Sequence, residues 1–279
     1  MVNKILVGIG GDPVSDIALM YAGNLGQRLG AIVTAMHVVQ EEPLPSSWPI
    51  KKLMEKNIEN ERQRVTELLS ELIKKNILPD VQFKEVVKGD PAGHLINEAE
   101  KAEYDLIVVG HRNLANIKKL LLGSVSSKVV QYAGVSVLVA KQLVGPSKVL
   151  FCYDGSRCAE EAIRFGGEII KNMDCKAAVL NVSPWMSDES EILSKKIAEE
   201  GTVMLRSLGV DASHRSIFSK EIVREILRES VKDNFDLIVV GSRGFSGIHR
   251  FLLGSITLKL INQTNLPILI YKRHHKIKR

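Results

Sequence analysis

One stretch of this chain occurs twice. Asp105-Leu-Ile-Val-Val-Gly110 returns as Asp236-Leu-Ile-Val-Val-Gly241, and the match runs without a gap from 105–141 to 236–272. Fifteen of those 37 aligned positions are identical. Nearer the start of each copy, Lys4-Ile5-Leu6-Val7 aligns with Lys148-Val149-Leu150-Phe151. The offset there is 144 rather than 131, because the first copy has a longer middle. The chain must therefore fold as one unit built twice. Its 279 residues suit about two domains. The expected units are residues 1–143 and 147–273, joined through Val144-Gly145-Pro146-Ser147, with a basic tail at 274–279.

Each copy alternates strand and helix patterns. In the first, Ile5–Ile9 is an apolar run of strand length, and Val14–Leu29 has helical spacing after Asp12-Pro13. Strands follow at Ala31–Val39, Val81–Val87, Leu106–Val109 and Val135–Ala140. Helices are expected at Lys51–Lys75, Pro91–Ala102 and Ser124–Tyr132. The second copy repeats this order and ends in a strand at Pro267–Tyr271. Strands with so few polar residues are buried on both faces, as in a parallel sheet covered by helices. Five such strands per copy, without hairpin signals, specify a doubly wound α/β sheet.

Composition narrows the function. The charged fraction is 25 % and the apolar fraction 45 %, ordinary values for a globular protein. No apolar run approaches the roughly 18 residues of a membrane span, and the N-terminus lacks a signal-peptide pattern, so the expected compartment is the cytosol. Five of the six net positive charges fall in Lys272–Arg279. The basicity reads as a solvated end, and neither nucleic acid nor membrane is expected as a partner. Cys152, Cys158 and Cys175 have no paired spacing and read as small, buried or half-buried thiols. His37, His94, His111, His214 and His249 show no metal-ligand spacing. Trp48 and Pro43-Leu-Pro45 read as a surface loop before the long helix.

The chemistry lies after the fourth strand of the second copy. Gly241-Ser-Arg-Gly244 is followed by Gly254-Ser255, a G-x2-G-x9-G-S pattern. Gly241 and Gly244 let the backbone approach a ligand. Gly254-Ser255 opens a helix, whose free N–H groups and positive dipole end attract an anion. Phosphate is the usual occupant. Ser255 can add its hydroxyl, Ile256 an amide and Arg243 a charge. Two other phosphate signatures fail. In Gly8-Ile9-Gly10-Gly11-Asp12-Pro13 a proline stands where a dinucleotide fingerprint needs its third glycine, and there is no G-x4-G-K-[ST]. No Ser occupies a G-x-S-x-G elbow, so no catalytic residue is assigned.

These residues resemble the universal stress protein family. The features that carry the resemblance are Lys148–Phe151 followed by Asp154-Gly155-Ser156, Asn181-Val182, and the glycine pattern at 241–255. It spans both copies. It implies two five-stranded sheets of order 3-2-1-4-5, the adenine nucleotide alpha hydrolase-like arrangement. Loops after strands one and four then open at a switch point, where ligands bind. By the same resemblance, Asp154 contacts the adenine–ribose end of ATP, AMP or ADP, and Val182 meets adenine through its backbone. Gly241, Gly244, Gly254 and Ser255 hold ribose and phosphates, with Mg2+ as a companion. The role implied is regulatory. Last strands pair in the family, so Val135–Ala140 and Pro267–Tyr271 are expected to pair as an internal pseudo-dimer, and two chains to form a homodimer. The alternatives are a slow ATPase, an interaction protein without nucleotide, and a binder of another small ligand.

The copies are unequal. Gly10 stands where the second copy has Asp154, and Asn113 where it has Gly244, although Gly110, Gly123 and Ser124 remain. The first copy is therefore expected to bind nucleotide weakly or not at all. The second departs too: Lys220-Glu221-Ile222-Val223 replaces Gly89-Asp90-Pro91-Ala92 and puts bulk near one crevice wall.

Overall fold

In a computed structural model, the residues described are 1–10, 13–38, 48–74, 78, 81–86, 89–111, 122–143, 145–244 and 253–272. Asn113, His249, Pro43-Leu-Pro45 and the tail beyond Lys272 lie outside them, and so does the side chain of Trp48.

Hydrophobic runs become strands and amphipathic runs become helices in the order the repeat demands. The first half comprises β1 (Lys4–Ile9), α1 (Pro13–Leu29), β2 (Ile32–Val38), α2 (Trp48–Lys74), β3 (Gln82–Val86), α3 (Pro91–Lys101), β4 (Leu106–Gly110), α4 (Ser124–Tyr132) and β5 (Ser136–Ala140). The second comprises β6 (Lys148–Cys152), α5 (Arg157–Ile170), β7 (Lys176–Ser183), α6 (Asp188–Ser207), β8 (Asp211–Phe218), α7 (Ile222–Lys232), β9 (Leu237–Gly241), α8 (Ser255–Gln263) and β10 (Ile268–Tyr271). All pairings within each half are parallel, giving 3-2-1-4-5 twice, as expected.

Alternation along each strand divides the core into two layers. Ile5, Val7 and Ile9 face Leu19, Leu25 and Leu69 of α1 and α2, whereas Leu6 belongs with Leu95 of α3 and Val129 of α4. The twin sequences Leu106–Gly110 and Leu237–Gly241 are buried at every position, which central strands covered on both faces require. The aspartates that open those twin segments act alike. Asp105 accepts hydrogen bonds from Asn3 N and Lys4 N at 2.7 and 3.0 Å. Asp236 does the same for Ser147 N and Lys148 N at 2.9 and 3.0 Å.

The halves fuse into one ten-stranded sheet. β5 pairs with β10 antiparallel, Leu138 opposite Leu269, so the expected pairing of the last strands is present within the chain. Two lysines brace this seam reciprocally. Lys141 Nζ donates to Ile261 O and Thr264 O, both at 2.6 Å, at the end of α8. Lys272 Nζ donates to Ala133 O at 2.8 Å, the C-cap of α4. Helix C-termini present unpaired carbonyls and a negative dipole end, which cations satisfy.

Three expectations need correction. Lys272 is no part of a solvated tail: it is only 7 % exposed, because its ammonium finds a helix C-cap. The helix of the longer middle begins at Trp48, so that residue opens α2 instead of sitting in a preceding loop. Ile222 and Val223 pack against the core under α7, because α7 starts at Ile222 and turns its apolar side to the sheet. Their bulk goes inward, and Lys220 and Glu221 are exposed.

Candidate functional site

β6 and β9 are neighbours, and the loops after them leave the sheet at its switch point. After β6, Asp154 Oδ1 accepts from Ser156 N at 2.9 Å, and Ser156, not Asp154, caps α5 by accepting from Ala159 N. Gly155 between them has φ of +83°, a conformation that favours glycine. This turn leaves Asp154 Oδ2 directed at the other loop. A Cβ placed on Gly244 would stand 2.6 Å from that oxygen.

After β9, the chain is pinned on both sides. A Cβ on Gly241 would lie 3.1 Å from backbone atoms of Cys158 and Ala159, so a glycine there lets β9 approach the start of α5. Thr257 Oγ1 donates to Gly241 O at 2.9 Å, and Gly254 N donates to Ser242 O at 2.8 Å. These bonds bring the start of α8 back onto the loop. Gly254 is the N-cap of α8 and supplies no side-chain cap, so Ser255 is the first helical residue rather than a capping serine. The first turn of α8 therefore has no side-chain cap at its N-cap residue. Ser255 and Ile256 are exposed there. Arg243 is half-buried.

Val182 completes the third wall. The last β6–β7 pair is Cys152 with Leu180, and Tyr153 N still donates to Leu180 O at 3.0 Å. β7 continues to Ser183. Backbone groups alternate sides along a strand. Val182 therefore turns its N–H and C=O to the side that β6 has vacated.

Sequence reasoning missed how this wall is fixed. Asn181 Nδ2 donates to Tyr153 O at 2.8 Å, which staples the residue before Asp154. Ser194 Oγ of α6 donates to Asn181 Oδ1 at 2.6 Å and meets Ser216 Oγ of β8 at 2.7 Å. In the first half, His37 holds the equivalent place, its Nδ1 donating to Ile9 O at 3.0 Å. Its strand neighbour Glu85 bonds Arg62 of α2 through both oxygens, at 2.7 and 2.8 Å. That guanidinium holds the Glu85 carboxyl below its ordinary value. A neutral network in one half thus corresponds to a charged one in the other. The available signal was the alignment of His37-Val38 with Asn181-Val182.

The first-half crevice keeps its frame. Ser126 Oγ donates to Gly110 O at 2.7 Å, as Thr257 does to Gly241, and Gly123 caps α4 without a side chain. It lacks the carboxylate: no described atom lies within 4 Å of where a Cβ on Gly10 would stand. His111 replaces Ser242. Burial and the nearby Lys141 ammonium lower the His111 pKa to about 4. Among the described residues, no three His, Cys, Asp or Glu side chains converge as a metal site, and no helix is long and apolar enough to cross a membrane.

A doubly wound sheet duplicated in one chain, with glycine-lined loops at its switch point, defines the class. The universal stress protein family profile matches residues 1–141 and 146–272, and this chain belongs to that family. A universal stress protein of Mycolicibacterium smegmatis is 25 % identical over 292 residues, covering 96 % of each chain. Universal stress protein Slr1230 of Synechocystis is 22 % identical across 97 % of this chain and 100 % of its own length. The crystal structure of a universal stress protein from Archaeoglobus fulgidus superposes with a TM-score of 0.74 at 23 % identity, covering 98 % of this chain and 99 % of that one.

Proposed function

We propose that the second half binds an adenine nucleotide, ATP or its shorter relatives, and that binding serves regulation. The observation that carries the reading is the convergence of Asp154 Oδ2 on Gly244 beside the uncapped start of α8. A carboxylate suits ribose hydroxyls, and free helix N–H groups suit phosphates. Val182 offers a donor and an acceptor in one plane, which suits the adenine edge. Arg243 adds charge at the phosphate end. Mg2+ enters with the nucleotide, because phosphate oxygens supply most of its ligands and the described residues offer no cage of their own. The first half serves as a structural partner, since Gly10 supplies no carboxylate and its sequence has Asn113 in place of the glycine at 244.

Calorimetric titration with Mg-ATP, after removal of carried-over nucleotide, tests this. One site per chain that is lost in Gly244→Asn is the expected result. No heat and no carried-over nucleotide would overturn it.

A further inference from the structure

We infer that the outer face of α6 is the surface through which two copies of this chain pair, antiparallel about a two-fold axis, whether or not nucleotide is bound.

α6 turns Ser194, Ala198, Gly201, Thr202 and Leu205 inward, toward β7 and β8. The far side of such a helix meets water and is ordinarily polar. Here Ile192, Leu193 and Val203 stand on the outside more than half exposed, and Trp185 and Met186, just before the helix, reach 72 and 88 %. The fold does not require this. α2 is the counterpart in the first half and buries Val65, Leu69 and Leu72, but its outward positions are Gln63, Glu67, Ser70 and Lys74. The five apolar side chains before and on α6 expose roughly 600 Å², at the upper end of what a monomer leaves bare and most of the about 800 Å² that each partner of a standard interface covers.

The charges on this face identify the occupant. Ile192, Lys196, Glu199 and Val203 follow at i, i+4, i+7 and i+11, which is one line along the helix. Reversed end to end, the line keeps its spacing: 192 exchanges with 203, and 196 with 199. A second α6 laid antiparallel therefore sets Ile192 opposite Val203 and Lys196 opposite Glu199, and the two-fold axis makes each pair twice. Lys196 and Glu199 are exposed and have no ion-pair partner among the described residues. A line holding one cation and one anion suits neither a nucleic acid nor an anionic membrane, but it matches its own copy. Trp185 and Met186 then lie over the last turn of the second copy's helix, where a Cβ on Gly209 would meet nothing within 4 Å. Their backbone is already fixed. Ser187 and Ser190 form a capping box, and Ser190 Oγ also donates to Trp185 O at 3.1 Å, so pairing orders little that was free.

The test is sedimentation velocity of the full chain across a wide concentration range, on the wild type, Ile192→Glu, Lys196→Glu and the double variant Lys196→Glu with Glu199→Lys. The wild type is expected as a species of twice 30.9 kDa. Ile192→Glu places a carboxylate in the interface twice and should raise the dissociation constant at least about a hundredfold. Its thermal midpoint as a monomer should match that of diluted wild type, because position 192 is exposed. Lys196→Glu should weaken pairing, and the charge swap should restore it, since opposite charges face each other again. A dimer that persists unchanged in Ile192→Glu overturns the inference, and so does a charge swap as weak as Lys196→Glu alone. A wild type that stays monomeric throughout overturns it as well and leaves the face to a different protein.

Discussion

Asp154 Oδ2 occupies the space that a side chain at Gly244 would need: a Cβ there would approach it to 2.6 Å. The two repeats differ in sequence at both positions of this contact. The second has a carboxylate on one loop and none on the other, and the first has Gly10 and Asn113.

Gly244→Asn is therefore expected to displace Asp154 and crowd the phosphate position. Mg-ATP affinity should fall at least about tenfold, about 1.4 kcal/mol, with an unchanged thermal midpoint, because Gly244 is exposed. Calorimetry reads the first quantity and scanning fluorimetry the second. Asn113→Gly alone should create no second site, since Gly10 still lacks a carboxylate.

Asn181→Ala should lower both stability and affinity. It strips Tyr153 O of its side-chain donor and leaves Ser194 with Ser216 as its one remaining side-chain partner, at about 1–3 kcal/mol. Urea denaturation gives the first effect. Ser194→Ala should weaken ATP binding less, because Asn181 keeps its bond to Tyr153.

Stability should rise from pH 7 to about pH 9. Lys141 and Lys272 fall to about 7 in the folded protein and return to about 10.4 in the unfolded chain. Above pH 7 the unfolded chain holds protons that the folded one has released, so the linkage slope is positive. It is at most about 1.4 kcal/mol per lysine per pH unit. Above pH 9 the cysteines reverse the trend. Burial raises the Cys152 thiol to about 12 and Cys175 to about 11, so the unfolded chain ionises first and gains. On the acid side His111, lowered to about 4, removes stability as pH falls from about 6.5 toward that value. Urea midpoints from pH 4 to 11 should trace this maximum, and Lys141→Met with Lys272→Met should flatten the rise between 7 and 9.

Leu138→Ala should cost about 2–5 kcal/mol. Leu138 is buried and stands opposite Leu269 in the seam register. A loss within ordinary surface values, below about 0.5 kcal/mol, would mean that the seam contributes little to folding.

Apolar periodicity and the repeated Asp-Leu-Ile-Val-Val-Gly were enough to place strands and helices, because buried parallel strands leave long uniform runs. Side-chain placement was harder to read. Lys272 lay in a basic run and was counted as solvated, although Lys141 and Lys272 form the last identical pair of the repeat alignment. Charge counting omits the acceptor across the seam, which only the antiparallel pairing of β5 and β10 supplies. Asn181 was legible as part of a motif but not as a staple, because its partners Tyr153 and Ser194, and Ser216 bonded to Ser194 in turn, come from three separate segments. Ile222 and Val223 were read as crevice bulk, since the start of α7 decides which way they point and no cap residue marks it.

Joining β5 to β10 inside one polypeptide also alters what mutation can do. In a two-fold homodimer each substitution appears on both partners, so neither can specialise. Here the paired bodies carry separate sequences at a fixed one-to-one ratio that dilution cannot disturb. One of them is free to lose its carboxylate while the other keeps it, and the asymmetry is inherited with the gene.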